Sequence, residues 1–525
     1  MTEVKHNQHK KRNEVHRALL RMASNYARLF ISVTIGLLLV RIIISHWGND
    51  AWALIALLGG TLGIAAMLQD IVRQSMIREL AFAHHSGNRD EFLSMYNSAL
   101  LVTHCVGWVT LMVVILIAII LPILEIPPDL LEVARWLVVA KGLETVFAIW
   151  VGAPMNMYIA TERMALSNFW IVLKRACPIV AVLWLIKIES ISDPIEGLKA
   201  YAVLSSSLFI AVSIIAVSVM MLLDNRMVPR PKYISRKSVR ELLHIGGWNA
   251  VSVTSLGMHI RVDAILMNLF MGLGGNLIYG FTSQLTSYVR MLSMGVSYGL
   301  DAVTTRIDKG GNQQGVRQLC YHITRLNSCI ALPAAAGLFV LAEPLLYFWV
   351  GDRMTNPETD LALTTTLIRI MVIGMAIRSL TDGWIKILYG SGNVSRYAPI
   401  ILGGVIANPV LAIILYYVLP EHVRFVFAVL AYSLVFIFFN LYLLPRLMGR
   451  LFETSYSAIL SPVLKPLVMT LISAILLEYM ASQVDTWGLY NFLGVCVMYG
   501  TLYGILVLLF VITPDEKQSI RRLIK

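Results

Sequence analysis

The side chains able to do chemistry in this chain are charges and hydroxyls set inside long apolar runs. At 100° per residue, Tyr279, Ser283, Thr286, Ser287, Arg290, Ser293, Ser297, Asp301 and Thr304 fall on one side of a helix. Phe281, Leu285, Val289, Leu292, Val296 and Val303 fall on the other. A polar stripe running the membrane depth with a guanidinium near its midpoint reads as the wall of a wet cavity, because a charge at that depth must face water, protein or another charge. Helix packing also explains small hydroxyls, but not Arg290. Arg378, Asp382 and Lys386 follow at i, i+4 and i+8, so Asp382 can pair with either cation and leave one net positive charge. A structural ion network is the equal alternative there.

Further candidates are more local. His259 and Asp263 share a helix face with Ser252, where they either share a proton and respond to pH or form a satisfied buried pair, the commoner outcome. Arg261, on another face, is expected toward the outer end of its span, either snorkelling or lining a cavity. Arg28, grouped with Ser24, Asn25 and Ser32, either meets an entering headgroup or anchors at the interface. Lys141 and Glu144, at i and i+3, are expected to neutralise each other. Asp263, His259, Asp382 and Glu144 are the candidate ion-coupling groups. Lys174 and Arg175 diverge by about 100°, so at most one faces a cavity.

Catalytic and metal chemistry find no support. GxxxxGK[ST], HExxH and GxSxG are absent, and the five cysteines (Cys105, Cys177, Cys320, Cys329, Cys496) have no metal-ligand spacing. The chain is therefore read as a non-enzyme needing no cofactor and no metal.

The elements positioning these groups follow from composition. Of 525 residues, 57% are apolar and 14% charged, against roughly 25% charged in soluble domains. Runs of about 20 apolar residues place fourteen spans at 24–44, 51–71, 97–122, 132–159, 166–187, 198–223, 245–270, 276–304, 321–349, 361–389, 397–419, 424–444, 462–480 and 490–512. The fold class is an all-α polytopic membrane protein, since a helix closes its own backbone hydrogen bonds in hydrocarbon. With both termini cytoplasmic, 28 Lys/Arg fall in inner segments and four in outer loops, which fits the positive-inside rule. The net charge of +12 thus reads as topology, with the bilayer rather than nucleic acid as partner. Six of those cations crowd the connection 224–244, expected as a solvated linker at lipid headgroups.

Short matches repeat along the chain. Trp47-Gly48 and Met271-Gly272 are 224 apart, as are Gly87-Asn88 and Gly311-Asn312; Ala160-Thr161 and Gly390-Ser391 are 230 apart, and Pro178 matches Asn408-Pro409. These offsets imply two six-helix repeats around a central cavity plus two extra C-terminal helices. The expected divisions are a cytoplasmic segment 1–23, an N-lobe 24–223, a basic linker 224–244, a C-lobe 245–444, two helices in 445–512 and a cytoplasmic tail 513–525.

Leu39-Val40-Arg41 with Trp47-Gly48, and Leu68-Gln69-Asp70, resemble the start of the Wzx-like polysaccharide flippases. These belong to the superfamily of multidrug, oligosaccharidyl-lipid and polysaccharide (MOP) exporters, which also holds MATE exporters and the lipid II flippase. Arg261-Val262-Asp263-Ala264-Ile265-Leu266 leading to Ile278-Tyr279-Gly280, and Lys309-Gly310-Gly311-Asn312, continue the likeness. So do Glu343-Pro344-Leu345-Leu346 with Trp349-Val350-Gly351, and Leu388-Tyr389-Gly390-Ser391-Gly392-Asn393. Val72 and Ala302 depart from the Gly and Pro common in that family. The resemblance implies a lipid-linked oligosaccharide substrate, with a polysaccharide polymerase and chain-length machinery as partners in the cytoplasmic membrane. Arg290, Arg378, Lys386, Arg28 and Arg261 would then hold the anionic head, and Ser283, Ser287 and Ser297 its sugars. A MATE-like antiporter is the first alternative, and a membrane glycosyltransferase or polymerase a further one.

Overall fold

The computed structural model describes residues 2–512 apart from 190, 245–246, 296, 298–299 and 355, with side chains described mostly from Ser24 onward. The tail 513–525 lies outside the described residues. Helices dominate, and no strand occurs among the described residues. They are α1 (Thr2–Trp47), α2 (Asn49–His85), α3 (Arg89–Ile120), α4 (Pro128–Trp150), α5 (Gly152–Ala160), α6 (Met164–Lys187), α7 (Pro194–Leu223), α8 (Arg236–His244) and α9 (Gly247–Met294). After them come α10 (Leu300–Lys309), α11 (Gln313–Val350), α12 (Pro357–Gly390), α13 (Val394–Val418), α14 (Phe427–Val435), α15 (Leu444–Leu451), α16 (Tyr456–Ser482) and α17 (Leu489–Leu506). A π-helical stretch, Phe436–Leu443, joins α14 to α15 in one span.

Among the described residues twelve helices are long and apolar enough to cross a membrane, and the bent pair α4–α5, turned by 51°, makes a thirteenth when counted as one span. A fourteenth hides inside α9. Gly272 has φ 64° and ψ −161°, which no helix accommodates, and the Asn276 amide donates to the Ala264 carbonyl at 2.7 Å. Twelve residues of straight helix would separate them by about 18 Å, so the chain turns back at Gly272. The expected span 276–304 is shorter than predicted, because α9 stops at Met294 before Gly295 and a new helix starts at Leu300. The hydroxyl stripe is therefore not one continuous helical face, and Ser297 sits in the break.

The turns repeat along with the sequence. Gly48 and Gly272, at φ 84° and 64°, are 224 residues apart, as are Gly87 and Gly311 at 75° and 69°. Glu162 and Gly392, at 59° and 73°, are 230 apart. Glycine enters this region freely; Glu162 does so at a cost of about 1–3 kcal/mol. Asn88 and Asn312 each follow such a glycine and cap the next helix with the side-chain oxygen.

The chain divides into two compact units, Met1–Leu277 and Ile278–Lys525. The first arm of α9, expected with the C-lobe, groups with the first unit. There Gly60 and Gly63 of α2 let it approach closely: a Cβ on Gly60 would lie 2.9 Å from the Ala264 Cβ. Phe92, Tyr96, Met157 and Tyr158 lie in that unit's main core. In the second unit Phe281, Tyr397, Tyr432 and Trp384 are fully enclosed. There α16 and α17 pack on α11 through Leu341, Leu477, Val495 and Tyr499, and the Tyr499 hydroxyl donates to the Pro333 carbonyl at 2.9 Å.

Candidate functional site

Each unit holds a group of charges within its spans that closes around an ion pair. In the second unit the Arg290 guanidinium, on the second arm of α9, reaches α12. Its Nε donates to Asp382 Oδ2 at 2.7 Å and its Nη2 to Oδ1 at 3.2 Å. Such a two-point pair fixes geometry as well as charge. Asp382 thus takes Arg290 across 92 residues of chain, with its helix neighbour Arg378 also within electrostatic reach. Arg378, one turn before Asp382, is only 3% exposed. Its guanidinium lies 5.5 Å from the centre of the Phe436 ring and donates to the Tyr432 hydroxyl at 3.4 Å. Lys386 is half-buried a turn beyond.

The surrounding contacts hold α12 in place. Asn440, in the π-helical stretch, donates to Thr381 Oγ1 at 2.8 Å. Trp384 Nε1 donates to Thr324 Oγ1 at 2.6 Å on α11. Such local π-winding often marks functional sites. Of the serines and threonines near Arg290, Thr286 and Ser293 are buried and donate to carbonyls of their own helix. Ser297 is buried against Asn327 of α11. Ser283 and Ser287 remain half-buried. The structure therefore brings Arg290, Asp382 and Arg378 together and sets Ser297 apart, in a helix–helix contact.

In the first unit Lys141 Nζ and Glu144 Oε2, both on α4, pair at 2.7 Å, and Ser206 of α7 donates to the same oxygen at 3.0 Å. Lys141 lies over the Tyr201 ring at 5.5 Å, and Lys174 of α6 over the Phe209 ring at 5.2 Å, as cation–π geometry favours. Lys174 is within electrostatic reach of Glu144; the adjacent Arg175 is exposed.

Arg261 corrects its expectation. It lies eleven residues before Gly272, about 16 Å along the helix, and its side chain runs against Gly63 and Gly257. That direction is toward the start of α9, opposite to snorkelling at the Gly272 end, and it brings the charge within reach of Asp70. The closeness requires glycine, because a Cβ at Gly63 would lie 2.6 Å from Arg261 Nε. His259 and Asp263 are buried at 4% and 0% exposure. Arg28 is half-buried on α1, near the contact between Ser24 and Asn168 of α6 at 2.8 Å. No group of three or more metal-ligating side chains occurs among the described residues.

Sequence reasoning missed Tyr432, Phe436 and Asn440, the residues that meet α12 from the span Glu421–Leu451. Their i, i+4, i+8 spacing in an otherwise apolar run was the available signal. It also missed Asn268, whose amide clamps the backbone N–H and carbonyl of Glu125 at 2.9 and 3.3 Å.

With this geometry in view, the likeness to known proteins is specific in fold. Residues 262–414 match the MatE family model. The uncharacterized membrane protein EpsK of Bacillus subtilis (strain 168) is 24% identical over 298 residues, covering 55% of this chain and 56% of that protein. The chain thus spans little more than half the length of this curated relative. An inward-facing MATE family multidrug resistance transporter of the MOP superfamily gives a TM-score of 0.64 at 14% identity, over 81% of this chain and 98% of the other. The lipid II flippase MurJ, in an inward closed conformation, gives 0.64 at 14% identity, over 95% and 99%. A MOP superfamily transporter from Pyrococcus furiosus, described for the reverse polarity of its binding pocket, gives 0.62 at 13% identity over 83% and 96%. The first 445 of 525 residues are 85% of the chain, so the 95% match includes part of α15–α17. Helix count, turn positions and these superpositions together make this chain a multi-pass membrane protein with the fold of MATE and MOP superfamily transporters.

Proposed function

We propose that this chain is an alternating-access flippase that moves a polyprenyl-diphosphate-linked oligosaccharide across the cytoplasmic membrane for surface polysaccharide synthesis. One observation carries the reading: Arg378, only 3% exposed on α12, stands one turn from the Arg290–Asp382 pair, so two cations meet one carboxylate within membrane-spanning helices. Charge is expensive there, so an unbalanced excess is kept where an anion is to be met. Arg378 and Lys386 would take the diphosphate, with half-buried Ser283 and Ser287 replacing water around the sugars. Arg28 and Arg261 are the further candidate cations, both in the first unit.

Asp382 gives the cycle a coupling handle. Its two-point hold on Arg290 is a contact that can be kept in one state of the cycle and released for the headgroup in another. Asp263 with His259, and Glu144, are the remaining coupling candidates. By the positive-inside rule both termini would lie in the cytoplasm, and a polymerase and chain-length machinery would take the product on the opposite face. A MATE-like antiporter for organic cations would favour available carboxylates, and here the single carboxylate of this group is held by an arginine.

The test is translocation of a labelled polyprenyl-diphosphate oligosaccharide by the purified full chain in proteoliposomes. Arg378→Gln is expected to slow translocation at least about tenfold, the loss of one charge-assisted contact of about 1.5–3 kcal/mol, while the protein stays folded. Gradient-driven export of an organic cation, without movement of the lipid-linked sugar, would replace this reading with the antiporter.

A further inference from the structure

A second basic site lies well apart in the sequence from the α12 charges, where the span Glu421–Leu451 ends and Tyr456–Ser482 begins. The chain turns back tightly there. Thr454 N donates to the Gly449 carbonyl at 2.9 Å and Phe452 N to the Met448 carbonyl, with Glu453 at φ 49°. Gly449 is buried, and a Cβ on it would lie 2.8 Å from the Thr454 carbonyl oxygen. The turn sets Thr454 and Tyr456 opposite Arg446 and Arg450, which lie one helical turn apart on α15. Together these residues line a cavity of about 330 Å³.

The cavity is basic and its walls are held. Arg446 stacks on the Tyr442 ring at 3.8 Å and donates to the Tyr442 hydroxyl. The Tyr456 hydroxyl donates to the Leu441 carbonyl at 3.1 Å, and Thr454 shares a 2.8 Å hydrogen bond with Tyr321 of α11. The nearby carboxylate, Glu453, points to Arg317 at 3.4 Å and does not line the cavity. Two guanidiniums with no lining acid fit a phosphate-bearing anion, whose oxygens match the forked N–H donors. Because the pocket joins the ends of two membrane spans, it sits at headgroup depth, and exposed Tyr442 and Tyr456 are residues typical of that level.

We propose that this pocket binds a phosphate anion, supplied either by the headgroup of an acidic phospholipid or by a soluble phosphate. It is separate from the transport reading, and its test does not depend on transport.

The full chain is placed in nanodiscs of phosphatidylglycerol or phosphatidylcholine, and inorganic phosphate is titrated into the latter. Lipid retention is read by native mass spectrometry and stability by thermal midpoint. Wild type is expected to retain phosphatidylglycerol over phosphatidylcholine. The Arg446→Gln/Arg450→Gln variant should retain it about thirtyfold less, roughly fivefold per arginine, as near-surface charge attraction predicts. A midpoint rise with inorganic phosphate in wild type, absent in the variant, would support the same site with the soluble source. Should the double variant fail to fold, Arg450→Gln alone spares the Arg446 contacts with Tyr442, and Arg450→Lys, which keeps charge but loses the fork, should fall between. Lys465→Gln, at an exposed lysine on α16, should change nothing. Equal retention and equal phosphate response in wild type and variant, or an equal loss in Lys465→Gln, would overturn the proposal.

Discussion

The two charge clusters have the same composition and different construction. Lys141, Glu144 and Lys174 in the first unit, and Arg290, Asp382 and Arg378 in the second, each set two cations against one carboxylate. In both, the cation outside the carboxylate pair lies over a phenylalanine ring. The first cluster closes its ion pair within one turn of one helix, with side chains 21% and 19% exposed. The second closes it between two helices, with Arg290 at 25% and Asp382 at 10%, and a second, nearly enclosed arginine lies one turn before Asp382. A pair made on one helix forms with the helix itself. A pair made between helices forms only when the helices dock, and losing one member leaves the other stranded. The second cluster is thus the one on which packing depends.

The largest expected effect is Asp382→Asn. It strands Arg290 beside Arg378 and should cost about 3–5 kcal/mol, read as lost thermal midpoint and lower yield of folded protein in detergent. Glu144→Gln should cost only about 1.5 kcal/mol, since Lys141 keeps its ring contact and partial hydration. Equal losses from the two would erase the distinction between the clusters.

Replacing both partners of the inter-helix pair sharpens it further. Arg290→Met with Asp382→Leu removes the stranded charge, so stability should return to within about 1–2 kcal/mol of wild type. With each single replacement costing about 3–5 kcal/mol, the coupling in the double-mutant cycle should be at least about 4 kcal/mol. Translocation should not return, because the anion has lost a cation. A double variant that transports normally would assign Arg290 a purely structural part.

In the first unit, Gly63→Ala tests how tightly Arg261 is held. The added methyl falls against the Arg261 side chain, and α2 must part from α9 or the guanidinium must move. A loss of about 1–3 kcal/mol is expected, and Gly60→Ala, which meets the Ala264 methyl, should act in the same direction. A neutral Gly63→Ala would mean that Arg261 has another rotamer at no cost.

The sequence made the spans legible because hydrocarbon demands about 20 apolar residues per crossing, and it made the local pair Lys141–Glu144 legible because i, i+3 contacts need only a helix. Even the turn-back at Gly272 was visible, as one copy of a Trp47-Gly48-like match. The partner of Asp382 was not. Its choice between Arg378, Lys386 and Arg290 depends on how α9 and α12 dock, and periodicity along one helix carries no information about that. Arg261 was misplaced for a related reason: side-chain direction was set by the absence of Cβ atoms on α2, a neighbour far away in sequence.

The smallest expected effect lies outside the spans, in a third charge group that contrasts with both clusters because water reaches it. Arg226 pairs with Asp224 at 2.7 Å, stacks over Phe92 at 4.9 Å and approaches His84 Nδ1 at 3.4 Å. Partial burial, then the Arg226 charge, pushes His84 below its ordinary value of 6.5. The Arg226 hydrogen bond holds Asp224 below 3.8. For His84 the unfolded chain binds the proton first, so stability falls as pH drops through about 6.5 and levels off below the folded value. Asp224 contributes fully above 3.8 and loses its contribution only below that, as pH falls through its lowered folded value. Between pH 7 and pH 5 the slope from this group therefore belongs to His84, and His84→Gln should flatten it. The change should be well under about 1 kcal/mol, because the site is largely hydrated and screened. A thermal midpoint that rises on acidification in wild type, with the rise abolished in His84→Gln, would mean that the imidazole gains a carboxylate from Asp224 instead of suffering from Arg226, and would reverse the sign assigned here.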